Sequence, residues 1–248
     1  MPHVLIAGES WIMQTIHIKG FDSFTTGAYG EGVAWLRAAI EAAGHTVEFM
    51  PNHIANTAFP TSAEALVAYD VVILSDIGSN TLLLHNDTFV QSRSMPNRLA
   101  LIRDFVAQGG ALVMIGGYLT FQGSEGQGRG AGTPVEEALP VTIDKFDDRV
   151  EAPEGMRPRI FESNQPIVAG LDAEWPAVLG YNRVTMKPLA IEVVKVGDDP
   201  LVAIWDFKEG RSMAFTTDCG PHWAPVTFVE WDGYAKFWAN AIAWLTRN

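Results

Sequence analysis

The segment that decides the fold is Gly116-Gly117-Tyr118-Leu119-Thr120-Phe121-Gln122, which follows the unbroken apolar run Ala111–Ile115. Such a run is the pattern of a strand covered on both faces, as in a parallel sheet. A strand that breaks into a Gly-rich turn and then displays one side chain is how many α/β enzymes present a nucleophile. The displayed residue here is Tyr118, where a Cys or Ser would be expected. The scaffold reads as that of a catalyst, with the customary reactive atom missing.

Working outward, the first half alternates strand and helix. His3–Gly8 and Val71–Ser75 are further apolar runs. Between them Val33, Leu36 and Ile40 recur at helical spacing, Gly44 supplies a stop, and 45–50 reads as a second strand. Pro96 opens a helix in which Leu99, Ile102 and Val106 share a face, and Gly109-Gly110 ends it. This β-α-β-α order implies a parallel sheet with helices on both faces.

The second half changes character. Gly123, Gly126, Gly128, Gly130 and Gly132 punctuate a polar loop without the Lys-Ser/Thr ending of a phosphate cradle, so 123–132 is predicted to be a mobile loop or lid. Residues 141–188 read as an irregular insertion at the sheet edge. Then 191–196 and 201–207, separated by Gly197-Asp198-Asp199-Pro200, form a hairpin, and 212–217 forms the last strand. Tyr234, Phe237, Trp238, Ala241, Ile242 and Leu245 make one stripe of a closing helix. No linker interrupts 1–248, which is read as one domain: a flavodoxin-like α/β three-layer sandwich with a C-terminal β-hairpin extension.

At 248 residues, 48% hydrophobic and 19% charged, the chain can bury a sizeable core. A formal charge of −12 with no Lys/Arg cluster argues against nucleic acid or an anionic membrane as partner. No stretch has the ~18–20 apolar residues of a membrane span, and the start lacks the features of a signal peptide. The single cysteine, Cys219, excludes an internal disulfide and suits a reducing compartment. The expected location is the cytoplasm.

The turn at 116–122 resembles the nucleophile turn of class I glutamine amidotransferases, Gly-x-Cys-x-Gly-x-Gln. On that pattern Gly116 matches the first Gly, Tyr118 holds the Cys position, Thr120 the second Gly, and Gln122 the Gln. Phe215-Thr216-Thr217-Asp218 falls where the family has Phe-His-Pro-Glu, which places Thr216 at the catalytic His and Asp218 at its acidic partner. Gly210-Arg211-Ser212-Met213-Ala214-Phe215-Thr216-Thr217, a later His222 and the ending Ala241-Ile242-Ala243-Trp244-Leu245 look like the trehalose-utilisation (ThuA-like) branch of the same clan. The resemblance implies the fold; the residues that define the activity are the ones that differ. A phenol with a reference pKa of about 10 is a far poorer nucleophile at neutral pH than an activated thiol, and Thr216 cannot act as base. Thr120 adds a side chain where backbone should approach the substrate.

Ligands of open parallel sheets bind beyond the carboxyl ends of the strands. Glu9 and Ser10 follow the first strand, Asp76 with Asn80 the third, Tyr118 and Gln122 the fourth, and Asp218 with His222 the last. These residues are the predicted site for a small polar metabolite, a carbohydrate derivative among the options, with Glu9 or Asp218 accepting hydrogen bonds or acting as base and Tyr118 donating. For Asp76 and Asn80 a helix cap or turn is the competing reading. Two alternatives stay open: a relocated nucleophile and base at Cys219 and His222, and a homo-oligomer in which the closing helix and loop aromatics (Trp11, Tyr29, Phe121, Trp223) bury surface against identical subunits. His222 with Asp76, Glu9 or Asp218 would suit a divalent ion, but the spacing predicts no metal site and no cofactor. His17, His53 and His85 are read as solvent-facing.

Overall fold

A computed structural model describes residues 1–248. Chain order begins β1 (His3–Gly8), β2 (Ser10–Lys19), β3 (Asp22–Glu31), α1 (Ala34–Ala42), β4 (Thr46–Pro51), α2 (Asn52–Ala58), α3 (Ala63–Leu66) and β5 (Val71–Ser75). It continues with α4 (Ser79–Leu83), α5 (Asn86–Phe89), α6 (Arg98–Ala107), β6 (Ala111–Ile115), α7 (Pro134–Ala138), β7 (Val141–Ile143), β8 (Arg149–Met156) and β9 (Arg159–Ile160). The last elements are β10 (Val178–Asn182), β11 (Val184–Met186), β12 (Ile191–Val196), β13 (Asp199–Phe207), β14 (Gly210–Phe215), α8 (Val226–Val229) and α9 (Asp232–Thr246).

The central sheet has eight strands in the order β4-β1-β5-β6-β14-β13-β12-β9. The first five run parallel, and the β14–β13–β12–β9 side is antiparallel. The unbroken apolar runs have a simple cause. Alternate residues of each central strand enter different cores: Val4, Ile6, Val71, Ile73, Val113 and Ile115 face one, and Leu5, Ala7, Val72, Leu74, Leu112 and Met114 the other. Helices α1, α8 and α9 cover the first face, and α2, α3, α4, α6 and α7 the second. This is the expected three-layer sandwich with its C-terminal hairpin.

The structure departs from the sequence reading in three places. First, Ser10–Lys19 and Asp22–Glu31 form a ten-residue antiparallel ribbon outside the main sheet, where no element was foreseen. Second, the 141–188 insertion is ordered: β10 pairs with β8, β11 with β7, and β9 joins the main sheet. Third, loop 123–132 is pinned rather than free: Gly123 N–H bonds to Asp148, Ser124 N–H to the Tyr118 carbonyl, Gly128 N–H to that of Gln122, and Gly130 N–H to that of Phe121. The apolar stripe of α9 lies in the core, as its periodicity predicts. His17 and His85 are half-buried: His17 stacks on Phe24, and His85 accepts from Asp87 N–H at the start of α5. No helix is long and apolar enough to cross a membrane.

Candidate functional site

At the carboxyl ends of β1, β5, β6 and β14 lies a crevice of about 330 Å³ lined by Glu9, Trp11, Gly32, Asp76, Tyr118, Asp218, Gly220, Pro221 and His222. A cleft of about 410 Å³ at the opposite end of the sheet, lined among others by Asp70, Phe105, Gly110 and Arg247, is somewhat larger. The carboxyl-end crevice is the candidate because strand ends there converge with buried ionisable groups.

The Tyr118 turn is fixed from beneath. Gly116 N–H donates to the carbonyls of Phe215 and Thr217 at 2.8 and 3.0 Å, and a Cβ at 116 would collide with the Thr216 carbonyl. Buried Asn182 accepts from Gly117 N–H at 2.9 Å and donates to the Gly117 carbonyl and to Asp148 Oδ1. Asp148 in turn accepts from Gln122 and Gly123 N–H, both at 2.8 Å. The insertion therefore supplies the base plate of the turn.

Tyr118 projects into the crevice, and its hydroxyl donates to Glu151 Oε1 at 3.0 Å. Trp223 Nε1 donates to the other Glu151 oxygen, also at 3.0 Å. The Arg149 guanidinium sits 4.6 Å from the centre of the Tyr118 ring. His222 packs beside both aromatics, 4.7 Å from the Tyr118 ring and 5.5 Å from that of Trp223, which are themselves 5.6 Å apart.

Both acids that follow β1 and β5 have left-handed backbone, Glu9 with φ 43° and Asp76 with φ 44°. For a glutamate this conformation is uncommon and is held only where the surroundings impose it. Glu9 is buried and accepts from Ser75 Oγ at 2.5 Å. Burial first, and the nearby Asp218 second, hold its carboxyl well above the usual range, so the neutral acid is favoured. Burial also raises Asp76. His222 Nδ1 lies 3.5 Å from Asp218 Oδ2, and this bond raises its pKa and favours imidazolium.

One hydrogen bond bears directly on chemistry. Leu119 N–H, which belongs to the residue after Tyr118, donates to Asp76 Oδ1 at 2.8 Å. In a nucleophile turn that N–H is a donor for the oxyanion. Here a carboxylate oxygen fills the position.

The structure brings together Glu9, Asp76, Tyr118, Asp218 and His222 and sets the other predicted site residues apart. Ser10 Oγ accepts from Asn52 N–H at 2.8 Å and so ties β2 to α2. Asn80 is exposed in the first turn of α4, off the crevice lining. Gln122 staples the pinned loop, donating to the Gly126 and Lys145 carbonyls and accepting from Ala131 N–H. Thr216 is fully buried and donates to the Pro200 carbonyl, and Thr120 is buried rather than presented to the crevice. Cys219 is also fully buried, with Sγ 3.5 Å from Ser75 Oγ and a thiol pushed up in pKa by burial, while His222 faces Asp218 instead. An accessible Cys219–His222 pair is not formed.

Glu151 and Arg149 were missed because an acid and a base in a segment without periodicity carry no positional signal. Gly32, which has no side chain to signal a role, was equally silent. Ligand atoms of Glu9, Asp218 and Cys219 lie within 4.8 Å of one another. Holding a metal there would require Glu9 and Cys219 to lose protons that burial favours keeping.

The model of the family described as "Putative glutamine amidotransferase" matches residues 3–247, and the chain belongs to that family. Among solved structures it is similar to two cytoplasmic proteins of Salmonella typhimurium. STM3548 is 41% identical with TM-score 0.94, covering 98% of each chain. STM1381, of strain LT2, is 42% identical with TM-score 0.94, covering 98% of this chain and 99% of its own. A ThuA-like protein from Parabacteroides merdae shares the fold at 12% identity and TM-score 0.59, over 98% of this chain and 89% of that one. No curated protein matches the chain.

Proposed function

We propose that this chain has given up glutamine hydrolysis and uses the crevice to bind, and through the His222–Asp218 pair to process, a small polyhydroxylated metabolite in the cytoplasm. The observation that carries the reading is the 2.8 Å bond from Leu119 N–H to Asp76, beside a phenol at the nucleophile position. A tetrahedral oxyanion formed there would meet a carboxyl group instead of a free donor. Thr216, at the position of the family's base, is buried and spends its hydroxyl on Pro200, which supports the loss of the triad.

The lining favours a neutral or cationic ligand rich in hydroxyl groups. Glu9, Asp76 and Asp218 all offer carboxyl oxygens to hydroxyl groups, and ionised Asp218 would repel an anion. Trp11 and Tyr118 add flat faces against which a sugar ring can lie. The similarity of the closing segments to the trehalose-utilisation branch points the same way. In this scheme Glu9 donates as the neutral acid, Asp218 accepts, and protonated His222 supplies the proton for general acid–base chemistry.

The test is a thermal-shift screen of the intact protein against glutamine, neutral aldoses, uronates and polyols, followed by calorimetry on any hit. A neutral sugar or polyol is expected to bind and glutamine is not. Loss of one hydroxyl bond in Tyr118→Phe should weaken binding about fivefold, the factor that roughly 1 kcal/mol commands, without unfolding the chain. An isotherm unchanged in Tyr118→Phe would remove Tyr118 from the site.

A further inference from the structure

The β2–β3 ribbon is at odds with its surroundings. Trp11, Ile12, Met13, Ile16, Ile18, Phe21, Phe24 and Tyr29 are all exposed large hydrophobic residues, with Phe21 at the tip and Ile18 at 75% exposure. The pairing register puts Ile12, Ile16, Ile18 and Tyr29 on one face and Trp11, Met13, His17 and Phe24 on the other, so neither face is polar. Between Ile12 and Ile18, and between Ser23 and Gly30, there is no charged residue and no proline. Natural edge strands are guarded by such residues, and a two-stranded ribbon alone in water is marginal.

We propose that this ribbon is an association arm whose occupant is a second copy of the same chain. Three observations identify that partner. The receiving surface is on the chain itself: next to the arm's root, Ile54 of α2, Leu84, whose carbonyl accepts from Asn56 of α2, and Leu119 are also exposed, at 38–42%. An open groove lined by Trp11, Ile12, His53, Asn56, Thr81 and Leu119 joins root to ledge. The area suffices as well. Ten residues per strand reach about 34 Å, and two faces of such a ribbon give about 700 Å², within the roughly 600–1,000 Å² each partner of a stable complex buries.

Charge is the third. Two chains of −12 repel through their bodies, but the arm is uncharged between its ends and carries only Lys19 opposite Asp22 at its tip and Glu31 at its root. A two-fold arrangement lets each arm meet its twin and the twin's ledge, the self-complementary geometry of isologous dimers. Because Trp11 at the root also lines the crevice, seating the arm fixes one wall of the site.

Light scattering and sedimentation of the full chain at micromolar concentration test the proposal. The wild-type protein is expected at no less than twice 27.1 kDa, and the double variant Ile16→Asp/Phe24→Asp at 27.1 kDa with an unchanged far-UV spectrum. A wild-type mass of 27.1 kDa across the micromolar range, or a folded double variant with the wild-type mass, overturns it. Should the double variant fail to fold, hydrogen exchange of the wild-type protein decides instead. Arm amides must gain at least about tenfold protection between submicromolar and 100-fold higher concentration, and concentration-independent exchange refutes the arm.

Discussion

At the crevice, Glu9, Asp76 and Asp218 bring three carboxyl groups close together on the edge of the core; directly after Glu9 the chain leaves the core, and the arm holds Ile16, Ile18 and Phe24 in water. The two regions depart from ordinary residue placement in opposite directions. Burying carboxyl groups is costly, and the fold offsets it locally: Ser75 donates to Glu9, Leu119 to Asp76, and Asp218 faces His222. The arm has no comparable compensation within its own chain. The crevice's polar groups find their partners within one molecule, whereas the apolar ribbon leaves its side chains uncovered.

The largest effect that sharpens this contrast is expected on stability. Asn182→Ala leaves Gly117 N–H and Asp148 short of partners beneath the turn and should cost about 2–3 kcal/mol, lowering Tm by roughly 5–10 °C. Ile18→Ala on the arm should stay within about 0.5 kcal/mol when measured on the monomeric Ile16→Asp/Phe24→Asp background. Equal losses at both positions would erase the distinction.

A smaller loss is expected at Gly32, where a Cβ would strike Glu9 Oε1. Gly32→Ala should cost about 1–2 kcal/mol, read as a fall in the denaturant midpoint, because Glu9 can shift only by loosening its Ser75 bond. An unchanged midpoint would mean that Glu9 is not fixed.

Glu9 itself carries a pH signature. Its folded-state pKa is raised above the unfolded value, so the native state binds the extra proton. The stability that this group contributes is present below 4.5 and is lost as pH rises toward the raised value. Glu9→Gln should therefore raise Tm by about 2 °C or more at pH 8, the worth of roughly 1 kcal/mol in a chain of this size, with the gain vanishing below pH 4.5. A gain that grows toward acid pH would show that the sign is wrong.

The smallest effect is spectroscopic. The Asp218 bond raises His222, so its imidazole should titrate above 6.5 by NMR, and Asp218→Asn should lower that midpoint. The stabilisation from this pair is whole below 6.5 and fades as pH passes the raised value. A midpoint indifferent to Asp218→Asn would leave His222 without its partner.

Much of the fold was legible because burial imprints a period. β1, β5 and β6 read as unbroken apolar runs since each face enters a core, and α9 shows its stripe for the same reason. The arm was illegible because apolar residues at 11–18 follow no core, and nothing within one chain dictates a ribbon there. At the site, residues directly after strand ends were readable from topology alone: Glu9, Asp76, Tyr118 and Asp218 all reach the crevice. Ser10 and Gln122 occupy equally good sequence positions, but alternation turns Ser10 toward α2 and loop closure engages Gln122. Glu151 and Arg149 come from a segment whose path depends on tertiary contacts with the turn, which no local pattern encodes.

Glutamate release from glutamine, followed in the wild-type protein and in Tyr118→Cys, tests the account of the crevice most directly. Neither protein should turn over, because restoring a thiol leaves Asp76 on the Leu119 N–H and Thr216 buried at the position of the base. Steady glutamate production by the wild-type chain would contradict the account.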